Sequence, residues 1–483
     1  MKTKVLAIAI VLVAFLCGNA KADNVDLQTA KQLGAYYFTV ATGAKAPIDA
    51  DDLTLAQQFD NPTLCIPAMY AFNVEGNGFI VVSACDGVEP ILAYSPEGYI
   101  NPTSKLVNPA CQYMLDSYAD IIRDVQNSNA KTSNKVKALW DQLYNQTYSV
   151  DLSKAGVLVQ TKWDQGENDR ASYNAFCPKK NGKYCYAGCV AVAMGQIIKY
   201  WNYPERGGNE NSSIASCPWG GTTLKYKFLV DSNKFVYDSM ITRITPYSEW
   251  NYIRAIGKLI YACGVTVKMG WDPEGSGAQS TEVPTALSNW FKYSPDAVHR
   301  QRAGMSDANW CSMLHEEIVD HLRPVYYSGF DGTSGGRDAG HAWVVCGEHP
   351  TDNTKFYINW GWGGASNGYF TLAPASAIQT ASGYKFNTSH AMVYRIFPNN
   401  LGIDDNTTYT VSPAYPNPAT DYMIIPVDLP NSAAMGIYSA DGKLIEKIVV
   451  PANTKEYRLN LQHYAPGTYI YRLNGNVCKF TVL

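Results

Sequence analysis

The sequence lacks the signatures of several common functional classes. It has no CxxC pair, so neither a zinc knuckle nor a thioredoxin-type redox site is supported. Only seven histidines occur in 483 residues, and His315-Glu316 is not followed by the second histidine of an HExxH zinc-peptidase motif. Basic and acidic side chains nearly balance, 39 against 42, which argues against a nucleic-acid partner. We therefore expect a protein without metal, organic cofactor or nucleic acid.

Apolar runs long enough to cross a bilayer are also missing. At the N-terminus, Lys2 and Lys4 precede an apolar stretch from Val5 to Leu16, and Ala20-Lys21-Ala22 forms a small-x-small cleavage site. A stretch this short does not span a membrane, so residues 1–22 are predicted to be a secretory signal peptide. Cys17 alone suggests a lipoprotein, but the bulky residues ahead of it disfavour lipid attachment. The mature chain is expected to be soluble, exported through the periplasm, and secreted or held at the cell surface.

Cysteine usage leaves at least one thiol free. Removal of the leader with Cys17 leaves 11 of the 12 cysteines, in a compartment where disulfides persist. An odd number cannot pair completely within one chain, and Cys189 is the candidate free thiol. For Cys177 and Cys185 we expect a structural disulfide; the alternative is that one of them traps Cys189 oxidatively.

The length suggests about three domains. Helix and strand patterns between Asp23 and Val125 indicate a compact α/β unit, and the polar stretch Gln126 to Lys137 is interpreted as an exposed, cleavable linker. After Pro398, short alternating strands with turn signals indicate a small β-sandwich. The predicted division is a signal peptide (1–22), an N-terminal domain with its linker (23–150), a central domain (151–398), a linker (399–412) and a β-sandwich (413–483).

The central domain combines a helical half with a strand-rich half. Helical patterns cover Cys189 to Trp201, Asn251 to Cys263 and Thr281 to Phe291, whereas strand patterns dominate from Val325 onward. This order suits an α+β enzyme with two lobes and a cleft between them.

A thiol, an imidazole and an amide occur in the order of a cysteine hydrolase. Gly188-Cys189 opens an almost wholly apolar helical run, His341 lies where a glycine-rich loop enters a buried strand, and Asn359 ends a later strand. A helix N-terminus favours the thiolate, which is the nucleophilic form of cysteine. Histidine transfers protons near neutral pH, and an asparagine side chain can hold its ring in one tautomer.

The central domain resembles the streptopain family of papain-fold cysteine peptidases. The matching stretches are Trp163-Asp164-Gln165-Gly166, Ala187 to Ala191 with Gln196 to Pro204, Gly340-His341-Ala342, and Phe356 to Gly364. By this resemblance Cys189 is the nucleophile, His341 the base and then the acid, Asn359 the residue that orients His341, and Trp360 a cover over the His341–Asn359 contact. The resemblance also makes Gln165 the oxyanion-hole donor, together with the backbone N–H of Cys189.

Both flanking domains carry resemblances of their own. Gly78 to Ser83 and Pro90 to Ser95 resemble the streptopain propeptide, which implies a zymogen whose N-terminal domain inhibits the enzyme until the chain is cut between about Gln126 and Ser153. Tyr415 to Ala419, Ile437 to Lys443 and Ala465 to Tyr469 resemble type IX secretion sorting domains, which implies recognition by that secretion machinery.

The sequence therefore predicts a secreted, self-activating cysteine endopeptidase. Its expected partners are protein or peptide substrates, host proteins among them, together with its own propeptide and the type IX machinery. Two alternatives remain: an acyltransferase or transglutaminase that uses the same residues, and a non-catalytic adhesin or haemagglutinin on a peptidase fold. Binding alone needs none of the reacting groups, which disfavours the adhesin.

Overall fold

The computed structural model describes residues 22–76, 78–100, 108–128, 132–152, 156–208, 213–331, 339–373, 390–399, 414–429, 433–439, 444–451, 454–473 and 476–483. The helices are α1 (Leu27–Thr42), α2 (Pro109–Asn127), α3 (Asn134–Tyr144), α4 (Cys189–Trp201), α5 (Trp250–Thr266), α6 (Val283–Phe291) and α7 (Asp307–His315), which continues into a π-helical turn (Glu316–Asp320). The predicted signal peptide lies outside the described residues, except for Ala22, as does the predicted linker beyond residue 399. Among the described residues, no helix is both long and apolar enough to cross a membrane.

The strands of the described residues form five sheets, three in the first two domains and two in the third. The strands of the first two domains are β1 (Leu53–Asn61), β2 (Ile66–Val74), β3 (Phe79–Ser83), β4 (Ile91–Ser95), β5 (Lys179–Lys180), β6 (Lys183–Tyr184), β7 (Ile214–Trp219), β8 (Thr222–Lys227), β9 (Val298–Gln301), β10 (Val325–Asp331), β11 (Ala339–His349), β12 (Asp352–Asn359), β13 (Gly368–Thr371) and β14 (Ala391–Tyr394). The strands of the third are β15 (Tyr422–Leu429), β16 (Ala433–Ser439), β17 (Leu444–Val450), β18 (Thr454–Asn460), β19 (Gly467–Leu473) and β20 (Asn476–Val482).

A ten-stranded sheet joins the N-terminal domain to the central domain. Its order is β1-β2-β3-β4-β13-β12-β11-β10-β14-β9, so the first four strands come from the N-terminal domain. The junction is the antiparallel pair β4 and β13, where Tyr94 faces Tyr369 and Ala93 faces Phe370. The junction strands are wholly buried, so the two domains share a hydrophobic core.

Among the residues that the structure describes, the stretch interpreted as a linker lies in helices at both of its ends, which differs from the exposed linker predicted for Gln126 to Lys137. Helix α2 continues to Asn127, and the Gln126 side chain is 4% exposed and donates to the Pro67 carbonyl. Helix α3 begins at Asn134, with the Ser133 hydroxyl accepting from Val136 N as its N-cap. Trp140 of α3 donates through Nε1 to the Val88 carbonyl at 2.8 Å. Because the stretch is polar, its composition did not predict the end of α2 and the start of α3, which both contact the N-terminal domain.

The central domain has the predicted α+β arrangement of a helical half and a strand-rich half. Helix α4 packs against α5 on one side and β11 on the other. Eleven of its 13 residues are buried, as expected for a helix that is apolar all round. This burial fixes the position of the helix N-terminus, where the candidate nucleophile lies.

The third domain is the predicted β-sandwich. A two-stranded sheet, β15-β18, packs on a four-stranded sheet, β17-β16-β19-β20. The inner face of the larger sheet supplies Met435, Ile437, Tyr471 and Leu473 to a separate core. This domain therefore has its own apolar interior.

All 11 cysteines of the described residues are free thiols, which contradicts the disulfide expected between Cys177 and Cys185. Both thiols are buried, and hydrogen bonds already hold their loop. The amide of Asn174 donates to the Cys185 carbonyl at 3.1 Å, and Cys185 N donates to the Pro178 carbonyl at 3.0 Å. Packing and hydrogen bonds thus replace the covalent link.

Candidate active site

The Cys189 thiol lies at the first residue of α4. Gly188 precedes it as the N-cap, with φ +86, a conformation that favours glycine. A Cβ at Gly188 would lie 2.6 Å from Cε of Met269, so the site also requires the absence of a side chain. The backbone N–H of Val190, in the first helical turn, bonds the thiol and favours its anionic form.

His341 lies near the start of β11 and interacts with Cys189. Its Nε2 is 2.9 Å from the Trp360 carbonyl oxygen. A carbonyl only accepts hydrogen bonds, so Nε2 carries the proton and Nδ1 is left for the thiol. This contact selects the tautomer in which neutral His341 can accept a proton from Cys189.

Cys189 and His341 each shift the pKa of the other in the direction that favours an ion pair. Burial of the Cys189 thiol opposes ionisation, but the charge of His341 and a hydrogen bond with its ring bring the thiol pKa below its ordinary value. Burial likewise opposes protonation of His341, yet the charge of Cys189 and their hydrogen bond raise the pKa of the ring. Opposite shifts of this kind favour a thiolate beside an imidazolium.

Asn359 does not make the predicted hydrogen bond with His341 in the part of the chain that the structure describes. Its Nδ2 donates to the Thr161 carbonyl at 2.6 Å, and its Oδ1 accepts from Gly361 N at 3.1 Å. The prediction was wrong about the contact because the neighbouring backbone carbonyl, that of Trp360, occupies the position beside Nε2. Asn359 holds the turn that carries this carbonyl.

The glycines after Asn359 permit that turn. Gly361, Gly363 and Gly364 all have positive φ, between +64 and +85. A Cβ at Gly361 would lie 3.2 Å from Cγ1 of Val192, so the turn packs directly on α4. The chain can therefore reverse sharply and present the Trp360 carbonyl to His341 without displacing the nucleophile helix.

Trp360 is not the ring that covers His341, which corrects a second part of the prediction. The Trp360 indole is fully buried and donates through Nε1 to the Ser366 carbonyl at 2.9 Å. The rings beside His341 are those of Trp362, 5.7 Å away and edge-on, and Trp343, 6.1 Å away and stacked. Trp360 acts at this site through its main-chain carbonyl.

Gln165 is tethered close to the nucleophile through its backbone. Its carbonyl accepts from Ala187 N at 2.8 Å, two residues before Cys189. Asp164 Oδ1 accepts from Gln165 N at 2.5 Å, which fixes the segment from the other side. No hydrogen bond of the Gln165 side chain is found among the described residues.

Gln196 joins the elements of the site and was not identified as functional from the sequence. It lies seven residues after Cys189, on α4, and is fully buried. Its amide forms a reciprocal pair with Asn359, with N···O distances of 3.1 and 3.2 Å, and its Oε1 also accepts from the Thr161 hydroxyl. The sequence offered one indication of this role: Gln196 is an amide within an otherwise apolar helix, and a buried polar group needs hydrogen-bond partners.

No cluster of three or more metal-binding side chains is found among the described residues. The chemistry that the arrangement supports is acyl transfer, because it combines an ionisable thiol, a proton-transferring imidazole and amide donors at one site.

Comparison with known proteins gives matches to three families along the chain. Residues 163–370 match the Peptidase C10 family, residues 22–122 the Spi protease inhibitor, and residues 413–481 the secretion system C-terminal sorting domain. The central domain is thus similar to the Peptidase C10 family, as predicted. The chain is a cysteine peptidase with an inhibitor-like propeptide domain and a sorting domain, so the predicted enzyme class is confirmed.

Relatives and solved structures agree with this assignment. Streptopain of Streptococcus pyogenes serotype M28 is 28% identical over 378 residues, covering 74% of this chain and 87% of streptopain. The thiol protease/hemagglutinin PrtT of Porphyromonas gingivalis is 27% identical over 395 residues, covering 79% of this chain but only 43% of PrtT. A prointerpain A fragment of Prevotella intermedia shares the fold, with a TM-score of 0.54 at 22% identity, over 71% of this chain and 98% of the fragment. The predicted fold class is confirmed, and the C-terminal sorting domain of the chain indicates type IX secretion to the cell surface or the exterior.

Proposed function

We propose that Cys189 and His341 form the catalytic dyad of a secreted endopeptidase that activates itself. The observation that carries this proposal is the contact of His341 Nε2 with the Trp360 carbonyl, because it leaves Nδ1 to exchange a proton with the Cys189 thiol. The opposite pKa shifts of the two groups have the same cause, since each charged form stabilises the other.

The dyad supports a two-step hydrolysis. The Cys189 thiolate attacks the scissile carbonyl carbon, and the negative charge that develops on the carbonyl oxygen is stabilised by the Gln165 amide and the backbone N–H of Cys189. His341 gives its proton to the leaving amine, and a thioester remains on Cys189. Water, deprotonated by His341, then hydrolyses the thioester and restores the thiol.

Asn359 and Trp360 support His341 through the backbone. Asn359 bonds Gly361 N, which stabilises the turn, and the Trp360 carbonyl in that turn accepts the Nε2 proton of His341. The predicted orienting role therefore passes from the Asn359 side chain to the carbonyl that it positions. The rings of Trp362 and Trp343 pack beside the imidazole.

The N-terminal domain is proposed to inhibit the enzyme by contacting the glycine turn that follows Asn359. The Ser366 hydroxyl, at the end of the turn, donates to the Tyr99 carbonyl at 3.2 Å. Lys162, whose stem packs where a Gly364 side chain would lie, forms an ion pair with Glu97 at 2.5 Å. Domain removal would break both contacts and the β4–β13 pairing, freeing the side of the cleft that presents His341.

The activating cut is proposed to fall in the segment that follows α3, within residues 145–152. Between 145 and 152 the chain is mostly exposed and has no regular secondary structure. Such segments are preferred by proteases, whereas a cut within α3 would require the helix to unfold. This narrows the earlier prediction of a cut between Gln126 and Ser153.

Self-activation is tested by following the intact mass of the purified zymogen in mild reductant. We expect stepwise loss of the N-terminal domain in the untreated protein and persistence of the full chain after alkylation with iodoacetamide. The matured protein should then degrade casein and not incorporate a primary amine into it. Amine incorporation would instead support an acyltransferase, and an unchanged mass with no casein degradation would support the adhesin.

Export is proposed to proceed through the periplasm and then by type IX secretion. A chain truncated after Pro398 is expected to accumulate in the periplasm of a type IX-competent host, because it lacks residues 413–481 that match the sorting domain. Immunoblots of periplasmic and culture fractions measure this, with the full-length chain as control. Appearance of the truncated chain in the medium in the usual amount would contradict the assignment.

Glu89 makes the contact between the propeptide domain and the peptidase sensitive to pH. It borders an interdomain cavity of about 200 Å³ that Lys135, Asp352 and Lys355 also line. Burial raises the pKa of Glu89 to about 7, although Lys355 lowers it. Because the folded zymogen favours the protonated form of Glu89, the contribution of Glu89 to the stability of the zymogen is fully present below pH 4.5. That contribution is lost as the pH rises to about 7.

Glu89→Gln is therefore expected to stabilise the zymogen at pH 8 and to leave it unchanged at pH 4.5. The ionisation penalty that it removes is on the order of 3 kcal/mol. The thermal midpoint of Cys189→Ala zymogen, which does not process itself, should rise by several degrees at pH 8 when Glu89→Gln is added. Glu75→Gln, at an exposed turn, is the matched control, and equal effects of Glu89→Gln at both pH values would contradict the prediction.

A further inference from the structure

The outer face of the four-stranded sheet in the C-terminal domain carries a row of residues that contact the peptidase domain. Gly436 of β16 is paired with Lys447 of β17 on one side and with Arg472 of β19 on the other. Tyr438 lies two residues further along β16 on the same face, because side chains alternate along a strand. We call Gly436, Tyr438, Lys447 and Arg472 the docking face.

Arg472 is the most deeply inserted residue of the docking face. Although it is charged, it is only 6% exposed. Its Nη2 donates to the Leu322 carbonyl at 2.7 Å and to the Tyr200 hydroxyl at 2.9 Å, and its guanidinium carbon lies 3.6 Å from the centre of the Trp201 ring. Burial of a guanidinium is unfavourable unless such partners compensate it, so the contact specifies one arrangement of the two domains.

The partners of Arg472 belong to the framework of the active site. Tyr200 and Trp201 form the last turn of α4, whose first residue is Cys189. The Tyr200 hydroxyl itself donates to the Leu322 carbonyl at 2.7 Å, so Arg472 joins a pre-existing contact between α4 and the chain that follows the π-helical turn. The C-terminal domain thus contacts the opposite end of the helix from the nucleophile.

The remainder of the docking face fits the same surface in shape and charge. A Cβ on Gly436 would lie 2.6 Å from Cδ1 of Leu322, so glycine allows the sheet to approach closely. Burial lowers the pKa of Lys447, and the charges of Glu348 and Asp320 in the peptidase domain oppose that shift. Close approach and opposite charge at one interface are features of a specific association.

We propose that the C-terminal domain is a docked partner of the peptidase domain, anchored by Arg472, and that it remains bound after the linker between them is cut. The sorting function requires only that the domain be attached, and it does not explain a buried arginine directed into the peptidase. Any protein that recognises the docking face must first displace it from Tyr200 and Leu322. Cleavage of the linker and release of the domain are then separate events.

The test uses the full-length chain with Cys189→Ala and a site for a sequence-specific protease inserted within residues 400–412. After complete cleavage, verified by intact mass, we expect the two pieces to elute together from a size-exclusion column at about 1 μM. Arg472→Ala should weaken their association at least about 30-fold, as for a buried hot-spot residue. Arg458→Ala is the control, because Arg458 is exposed and stacks on Tyr422 of the other sheet.

A second variant separates loss of docking from misfolding of the C-terminal domain. Tyr200→Phe removes one hydroxyl from the peptidase domain and leaves the C-terminal domain unaltered, and it should also weaken association by several-fold. Separation of the pieces of the parent protein at 1 μM would overturn the proposal. Equally tight association of the parent, the Arg472→Ala and the Tyr200→Phe pieces would overturn the role of Arg472.

Discussion

Replacing Cys189 with alanine is expected to lower turnover of a peptide substrate on the order of 10⁶-fold, as loss of the nucleophile does in a comparable peptidase. The structure places this thiol at the N-terminus of a buried helix and beside His341, so both the helix and the imidazolium favour its thiolate. Burial raises the pKa of nine other thiols among the described residues. The neighbouring Cys185 is one of them, so burial disfavours its thiolate.

The measurement compares wild type, Cys189→Ala and Cys185→Ala on one fluorogenic peptide, after the propeptide domain has been removed by an added protease. Cys185→Ala is the matched control, since it removes a thiol only four residues away. His341→Ala should also inactivate the enzyme, and it should slow alkylation of Cys189 near pH 6, because the thiolate loses its counter-charge. Substantial turnover by Cys189→Ala, or unchanged alkylation in His341→Ala, would contradict the proposed dyad.

The candidate reacting groups could be proposed from the sequence because each occurs in a distinctive setting. Gly188-Cys189 begins an apolar run, which predicts a helix buried on all sides. His341 follows glycines at the start of a buried strand. The β-sandwich was likewise predictable, since its strands alternate with period two and are separated by turn residues. These features follow from local pattern and burial.

Contacts that depend on turn geometry were not predictable in the same way. The conformation of the glycine turn after Asn359 decides whether His341 bonds the Asn359 side chain or the Trp360 carbonyl. The pattern of hydrophobic residues does not predict that conformation. Helix α3 was missed because only three of its 11 residues, Val136, Trp140 and Leu143, are buried. The docking of Arg472 could not be foreseen, because it joins residues more than 250 positions apart.

Replacing Gln165 with alanine is expected to lower kcat by about 10²–10³-fold and to change KM little. The reason is that the oxyanion exists only in the transition state and the tetrahedral intermediate, so the lost hydrogen bond contributes little to substrate binding. The backbone of Gln165 is held by Ala187 and Asp164 and does not need the side chain for its position. The backbone N–H of Cys189 would remain as the second donor, which is why the variant should retain some activity.

Steady-state kinetics of Gln165→Ala and Gln160→Ala on the same peptide measure this effect. Gln160 lies five residues earlier, and its side chain donates to the Val157 carbonyl at 2.7 Å, so its loss tests the effect of removing a nearby glutamine that has no catalytic role. The rate of Cys189 alkylation should be equal in both variants, because alkylation forms no oxyanion. A selective loss of peptide turnover with normal alkylation assigns Gln165 to the oxyanion hole. Slower alkylation in Gln165→Ala would show that it acts on the dyad, and near-normal kcat would exclude it from catalysis.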